Sequence, residues 1–173
     1  EKAQQEEAVI WDALVPALDE AVEKFVAMRT VEGENLKKDI LLKGEKIKAL
    51  VAEVKERSSL VVVEYQEKRN NRLKDLLGMV DVDPQRIATE VAVFADRGCV
   101  DEEVTRLESH LVQLKDILEG GGQVGRKLDF LIQEMNRESN TIASKANDIQ
   151  IVKATIELKS EIEKIREQIQ NLE

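Results

Sequence analysis

The stretch Ile149–Leu172 reads IQIVKATIELKSEIEKIREQIQNL and repeats its apolar residues at intervals of seven. The seam consists of Ile151, Leu158, Ile162, Ile165, Ile169 and Leu172. A seven-residue repeat is typical of helices that pack along a coiled-coil seam. The intervening positions are mainly Glu, Lys and Arg, as expected for a solvated helical face. The stretch therefore predicts a long helix that packs against other helices.

The same periodicity extends through the N-terminal half of the chain. From Val9 to Arg57, apolar residues recur at spacings of three and four, which favours a helix. Leu60–Val63 is β-prone, and a short strand is the local alternative, although the helix formers in Glu64–Leu77 favour a helix. Only 3% of the residues are aromatic, which argues against a sandwich or barrel. We predict an all-α fold of long antiparallel helices with coiled-coil-like seams and a C-terminal helical bundle or hairpin.

Glycines suggest the domain organisation. A break at Gly78–Val82 divides the chain into a long helical arm, 1–78, and a C-terminal helical domain, 79–173. Gly120–Gly122 is a flexible linker inside the second domain. It superficially resembles a phosphate-binding loop, but Gly125 is followed by Arg126 and the loop follows a helix rather than a strand. We therefore expect no nucleotide cofactor.

Charge and composition exclude several classes of protein. The net charge of −9 argues against a broad nucleic-acid-binding surface, although a local one remains open. With Cys99 as the only cysteine and His110 as the only histidine, one chain has neither a disulfide nor a site built on two imidazoles. No apolar run approaches the roughly 20 residues of a membrane span. We expect a cytoplasmic protein without a membrane partner.

A polar but largely uncharged stripe distinguishes the segment Gly125–Asp148. It consists of Asp129, Gln133, Asn136, Asn140, Ser144 and Asn147. Asn and Ser are poor helix formers because their side chains compete for backbone hydrogen bonds. A helical face rich in them indicates either a binding surface or an interface between helices.

Charged residues beside this stripe suggest phosphoryl chemistry. The carboxylates are those of Asp129, Glu134, Glu138 and Asp148, and the cations are Arg126, Lys127, Arg137 and Lys145. Carboxylates can bind Mg²⁺ or Mn²⁺, and Arg and Lys can bind a phosphodiester. On the preceding predicted helix, His110 can act as a general acid or base near neutral pH. Spacing alone leaves open that the charges form surface ion pairs, that the amides tie helices together and that His110 is structural.

The segment GRKLDFLIQEMNRE (Gly125–Glu138), followed by Asn140-Thr141-Ile142 and Ser144-Lys145, resembles the C-terminal signature of the YicC/YloC endoribonuclease family. The resemblance covers nearly the whole chain. It implies a divalent-metal-dependent endoribonuclease, with Mg²⁺ or Mn²⁺ as cofactor, RNA as substrate and a homo-oligomer, a hexamer, as the assembly. It also implies an N-terminal α/β domain that is largely missing here.

The polar stripe and the resemblance together assign roles to residues of the segment and to His110. Glu134, Glu138 and His110 are expected to be catalytic. Metal binding is expected at Asp129, Glu134, Glu138 and Asp148. RNA binding is expected at Arg126, Lys127, Asn136, Arg137, Asn140, Ser144 and Lys145. Because an N-terminal domain is expected to be missing, one expectation is that this chain alone does not cleave RNA. The alternative is a non-catalytic helical module for oligomerisation or RNA binding.

Overall fold

The computed structural model describes residues 2–77 and 84–170. Its helices are α1 (Lys2–Leu77), α2 (Pro84–Gly98), α3 (Asp101–Gly120), α4 (Gly125–Lys145) and α5 (Ile149–Ile169). Over these ranges the chain contains no strand, so the all-α prediction is confirmed. The β-prone Leu60–Val63 lies inside α1, and the strand alternative is wrong. The predicted domain boundary at 78/79 lies outside the described residues and stays a prediction.

The chain separates into two units, Glu1–Asp39 and Ile40–Glu173. In the first unit, the apolar seam predicted from the sequence faces solvent. Its residues are Ile10, Leu14, Leu18, Val22 and Phe25, each at least 51% exposed. The helical prediction holds for this unit, but the seam has no packing partner within it.

The second unit contains the hydrophobic core. From α1 it takes residues spaced as on one helical face, namely Ile40, Ile47, Leu50, Val51 and Val54. The other core residues come from α3, α4 and α5, with Val100 and Val124 from the turns that precede α3 and α4. The seven-residue seam of α5 is buried at Ile151, Leu158, Ile162, Ile165 and Ile169. The coiled-coil-like seam predicted for this helix is therefore confirmed over the described residues.

Ion pairs show that α1 and α5 run antiparallel. The Nζ atom of Lys46 lies 2.8 Å from Oε1 of Glu161. Eleven residues further along α1, Nη2 of Arg57 lies 2.8 Å from Oδ2 of Asp148, at the start of α5. Because one set of residue numbers rises as the other falls, the two helices have opposite directions.

Two further ion pairs relate α3 and α4 in the same way. Glu103 pairs with Lys145, and Arg106 pairs with Glu138. Since α4 and α5 are joined by the short connection 146–148, neighbouring helices of the second unit alternate in direction. The arrangement is an up-and-down bundle of four helical segments. It confirms the predicted antiparallel packing and places α4 between α3 and α5.

Helix α2 packs against the later part of α1. The rings of Tyr65 and Phe94 stack with their centroids 3.7 Å apart, and Arg69 pairs with Glu90 at 3.4 Å. In the described part of the chain, no helix is both long and apolar enough to cross a bilayer.

Candidate functional site

The loop between α3 and α4 positions the start of the candidate site. Gly121 and Gly122 have φ values of 64° and 78°, in the left-handed region that favours glycine. This turn reverses the chain, so the first turns of α4 lie beside the last turns of α3. The predicted linker thus forms the turn between two antiparallel helices.

A depression of about 430 Å³ lies between these two helix ends. Its lining residues are His110, Gln113, Ile117, Arg126, Lys127, Phe130 and Leu131. The structure therefore brings together three residues that the sequence analysis predicted from separate helices, namely His110, Arg126 and Lys127. An imidazole beside two cations is suited to proton transfer next to an anion.

Two cations of the depression and one nitrogen of His110 lack protein partners among the described residues. Nδ1 of His110 is buried and has no hydrogen-bond partner among the described residues. Arg126 and Lys127 are exposed, and neither forms an ion pair or hydrogen bond with the part of the chain that the structure describes. Buried polar atoms normally have partners, so an unpartnered buried nitrogen is unusual and marks His110 as a candidate functional residue.

The outer face of α4 continues from the depression along the helix. Arg137, Asn140 and Ser144 are exposed, whereas Asn136 is half-buried. The Ser144 hydroxyl donates to the Thr141 carbonyl oxygen at 2.9 Å. The opposite face carries the core residues, so the predicted RNA-binding residues of α4 share the solvent side. Lys145 is the exception.

Lys145 is committed to a contact between helices. Its Nζ donates to Oε1 of Glu103 at 2.8 Å and to the carbonyl oxygen of Cys99 at 3.1 Å. The hydrogen bond to Glu103 raises the pKa of Lys145. The side chain therefore joins the end of α4 to the start of α3, away from the depression.

Glu138 is also held inside the bundle. It is only 4% exposed and accepts a hydrogen bond from Nη1 of Arg106 at 3.2 Å. This hydrogen bond is the main cause that raises the pKa of Arg106, which also pairs with Glu102. This pair links α3 to α4 inside the second unit. The partner of Glu138 lies on a different helix, which sequence spacing did not reveal.

Asp148 is the N-cap of α5. Its Oδ1 accepts hydrogen bonds from the backbone N–H groups of Gln150 and Ile151, at 2.9 and 3.1 Å. It also accepts two hydrogen bonds from the guanidinium of Arg57, at 3.1 and 2.8 Å. Hydrogen bonding by Arg57 lowers the pKa of Asp148 to about 2, against the opposing effect of burial. Arg57 pairs with Glu64 as well, and hydrogen bonds to the two carboxylates raise its pKa.

The four predicted metal-binding carboxylates do not converge within one chain. Asp129 accepts a hydrogen bond from Nε2 of Gln133 at 2.7 Å, and Glu138 and Asp148 are paired as above. Glu134 is half-buried and has no described partner. Among the described residues, no three His, Cys, Asp or Glu side chains are grouped so as to hold a metal ion. The described carboxylates of a single chain therefore do not fit a metal centre, and the metal-binding assignment stays a prediction.

Phe130 and Gln113 are lining residues that the sequence analysis missed. The side chain of Phe130 is apolar and aromatic, yet 65% of its surface is exposed. A signal for it was present, because Phe130 falls outside the seam formed by Leu128, Ile132 and Met135. An aromatic residue out of phase with the apolar seam of its helix points outward.

Comparisons with known proteins agree with the sequence resemblance. Residues 54–173 match the sequence model of the family described as "Endoribonuclease YicC-like, C-terminal". The chain is 45% identical over 174 residues to a "Probable endoribonuclease YicC" of Clostridioides difficile, covering 100% of this chain and 59% of the relative. It is 40% identical over 173 residues to the protein of the same name from Haemophilus influenzae, covering 100% of this chain and 60% of that one.

The chain thus spans about three fifths of the length of these curated relatives. The family match covers α2 to α5 and the part of α1 that contains Val54 and Arg57. It includes the whole of the depression and the outer face of α4. The chain therefore belongs to the YicC-like endoribonuclease family, and its residues 54–173 correspond to that family's C-terminal region.

Proposed function

We propose that this chain is part of an endoribonuclease and that the depression between α3 and α4 is where the RNA backbone meets its catalytic groups. The single observation that carries the proposal is the convergence of His110, Arg126 and Lys127 on one open depression. The names of the two relatives support the same activity. A cytoplasmic location accords with an RNA substrate and is part of the proposal.

His110 is the proposed general acid or base. Cleavage of an RNA phosphodiester requires a proton to leave the attacking oxygen and another to reach the departing oxygen. An imidazole can perform either transfer near neutral pH, and such a group typically contributes about 10²- to 10⁴-fold to the rate. Nδ1 of His110 is buried without a partner, so no hydrogen bond from the described residues fixes the proton at that nitrogen.

Arg126 and Lys127 are the proposed phosphate-binding groups of the site. Negative charge builds on the phosphate oxygens as the bond to the attacking oxygen forms, and fixed cations stabilise that charge. Arg137, Asn140 and the half-buried Asn136 extend the contact along α4 as donors to the RNA backbone. The Ser144 hydroxyl, which donates to the Thr141 carbonyl oxygen, can accept a hydrogen bond from a ribose hydroxyl. In contrast, Lys145 is paired with Glu103, so a role in binding RNA would require that pair to open.

Metal dependence remains part of the proposal because the family resemblance implies it. The carboxylates in the part of the chain that the structure describes do not fit a metal centre, so we assign no chemical step to a metal. Glu134 is the carboxylate with no described partner, and Asp129 is held only by an exposed Gln133. These two remain available to a cation whose other ligands come from a second chain.

Self-association is also proposed, as a homo-hexamer in the full-length protein. The exposed apolar seam of the first unit supports an assembly, since monomers rarely expose apolar patches of more than a few hundred Å². Any further ligand of a divalent cation would then come from a neighbouring copy.

Cleavage of a labelled single-stranded RNA by the full-length protein tests the proposal. We expect cleavage with Mn²⁺ or Mg²⁺, loss of cleavage with chelator, and at least a tenfold lower rate for Glu134→Gln. Glu53→Gln, an exposed carboxylate of α1, is the matched control and should cleave normally. Glu138 variants are unsuitable because its buried pair with Arg106 would be lost. Absence of cleavage by the wild-type protein would overturn the proposal, and unchanged cleavage by Glu134→Gln would remove that carboxylate from the site.

The second candidate is a non-catalytic helical module for oligomerisation or RNA binding. It is favoured by the structural use of Glu138, Lys145 and Asp148 in contacts between helices. Sedimentation and RNA affinity of Asn136→Ala and Asn140→Ala variants distinguish the two. Loss of the oligomer with RNA affinity retained, together with no cleavage by the wild-type protein, would establish the module.

A further inference from the structure

Phe130 is an exposed aromatic side chain inside a depression lined by cations. It lies on α4 with 65% of its surface exposed, so it contributes little to the core. Arg126 and Lys127 precede it by four and three residues, the spacings that place side chains next to each other on a helix. The three residues line the same depression.

The remaining lining groups define what fits beside this ring. Ile117 is half-buried and Leu131 is buried, and the two form the apolar part of the lining. Gln113 adds an amide that can donate and accept hydrogen bonds, and His110 adds the imidazole described above. A ligand that matches this lining is flat and apolar on its faces, polar at its edges and attached to an anion. A nucleotide with an unpaired base has all of these properties.

We infer that Phe130 is a stacking platform for an unpaired nucleobase, which makes the depression selective for single-stranded segments of RNA. The inference rests on the proposed function and adds its substrate class. In a duplex each base is already stacked and paired, and its faces are not accessible to a side chain. The base would lie on the Phe130 ring while Arg126 and Lys127 bind the flanking phosphates.

The local charge favours RNA over a protein partner at this surface. The chain carries a net charge of −9, yet the depression contains two unpaired cations and no lining carboxylate. A second copy of this acidic chain would form favourable charge interactions here only if it placed carboxylates next to the two cations. A phosphate on either side of a stacked base satisfies both cations and the ring together.

Fluorescence anisotropy with the full-length protein tests the inference. The probes are a fluorescein-labelled, unstructured RNA of mixed sequence and the same RNA annealed to its complement. For Phe130→Ala and Phe130→Leu we expect affinity for the single strand to fall roughly five- to a hundredfold. Affinity for the duplex should change less than twofold. Phe130→Trp should restore single-strand binding, and Ile156→Ala, an equally exposed apolar residue of α5, is the control.

The salt dependence separates stacking from phosphate contacts. Phe130→Leu should leave the slope of log affinity against log salt unchanged, because it removes no charge. Arg126→Gln should lower that slope by about 0.7, the value for one phosphate contact on a single strand.

If Phe130→Leu binds both RNAs like wild type, the inference is overturned while the proposed function stands. A shift in sedimentation with unchanged RNA affinity would instead assign Phe130 to a protein interface. Failure of the wild-type protein to bind or cleave any RNA would overturn the proposed function itself.

Discussion

Asp148 links three parts of the second unit through one carboxylate. It caps the first turn of α5 and binds the guanidinium of Arg57 on α1, 91 residues earlier in the chain. Only 13% of its side chain is exposed, so water screens the ion pair less than at an open surface. The side chain therefore fixes the α4–α5 connection against α1.

Replacing Asp148 should separate the cap from the ion pair. Asn caps a helix about as well as Asp, so Asp148→Asn should lose only the charge interaction. Asp148→Ala should lose both and be less stable than Asp148→Asn by about 1 kcal/mol in the free energy of unfolding. Urea unfolding at pH 7 measures the difference, with the exposed Asp116→Asn as the control. Equal stability of the Ala and Asn variants would contradict the capping role.

The stability difference between wild type and Asp148→Asn should depend on pH. The native pKa of Asp148 is about 2, below its usual value of 3.8, so ionisation favours the folded state. This contribution is fully present above the unfolded pKa and is lost as the pH falls through the folded pKa. The stability difference between wild type and Asp148→Asn should therefore be constant from pH 7 to about 5 and shrink as the pH falls from 4 towards 2. A difference that stays constant down to pH 3 would contradict the account.

Sequence reasoning succeeded for helices with local signals and failed where partners were distant. The helices that carry His110, Arg126 and Lys127, and the glycine linker between them, followed from the sequence, but the depression that these side chains line did not. For Glu138, spacing gave no sign of Arg106 on the preceding helix. A sequence pattern predicts which side chains are neighbours within about one helical turn. The burial of a side chain and its ion pairs depend on which helices pack together.

Among the elements, α1 shows how tertiary packing overrides local preference. The β-prone residues Leu60–Val63 are helical because α1 packs in the core before them and against α2 after them. Gly is unfavourable inside a helix, yet α1 continues through Gly44. Gly44 is buried, and a Cβ atom placed there would lie 3.5 Å from Cδ2 of Leu114 on α3.

Gly44→Ala should therefore stabilise α1. An added Cβ at 3.5 Å makes an ordinary contact, and Ala is about 1 kcal/mol more favourable than Gly inside a helix. We expect the free energy of unfolding to rise by up to about 1 kcal/mol in urea titrations. Gly121→Ala provides the contrast, because its positive φ should make the same change destabilising by roughly 1–2 kcal/mol. A destabilised Gly44→Ala would show that α3 cannot accommodate the methyl group.

At the scale of the whole molecule, the two units differ in how they use their apolar residues. The core begins at Ile40 and draws on α1, α3, α4 and α5. The seam in residues 10–25 is equally regular in sequence, yet it remains exposed. Periodicity predicts a helix and its apolar face in both units, but it does not say whether the partner is within the chain.

The depression between α3 and α4 is the proposed site of RNA cleavage. The most direct measurement is single-turnover cleavage of a labelled single-stranded RNA by the wild-type protein and by His110→Gln, with the exposed Val112→Ala as control. We predict a rate about 10²- to 10⁴-fold lower for His110→Gln, an RNA affinity within threefold of wild type, and normal cleavage by the control. Cleavage by His110→Gln at the wild-type rate would contradict the account.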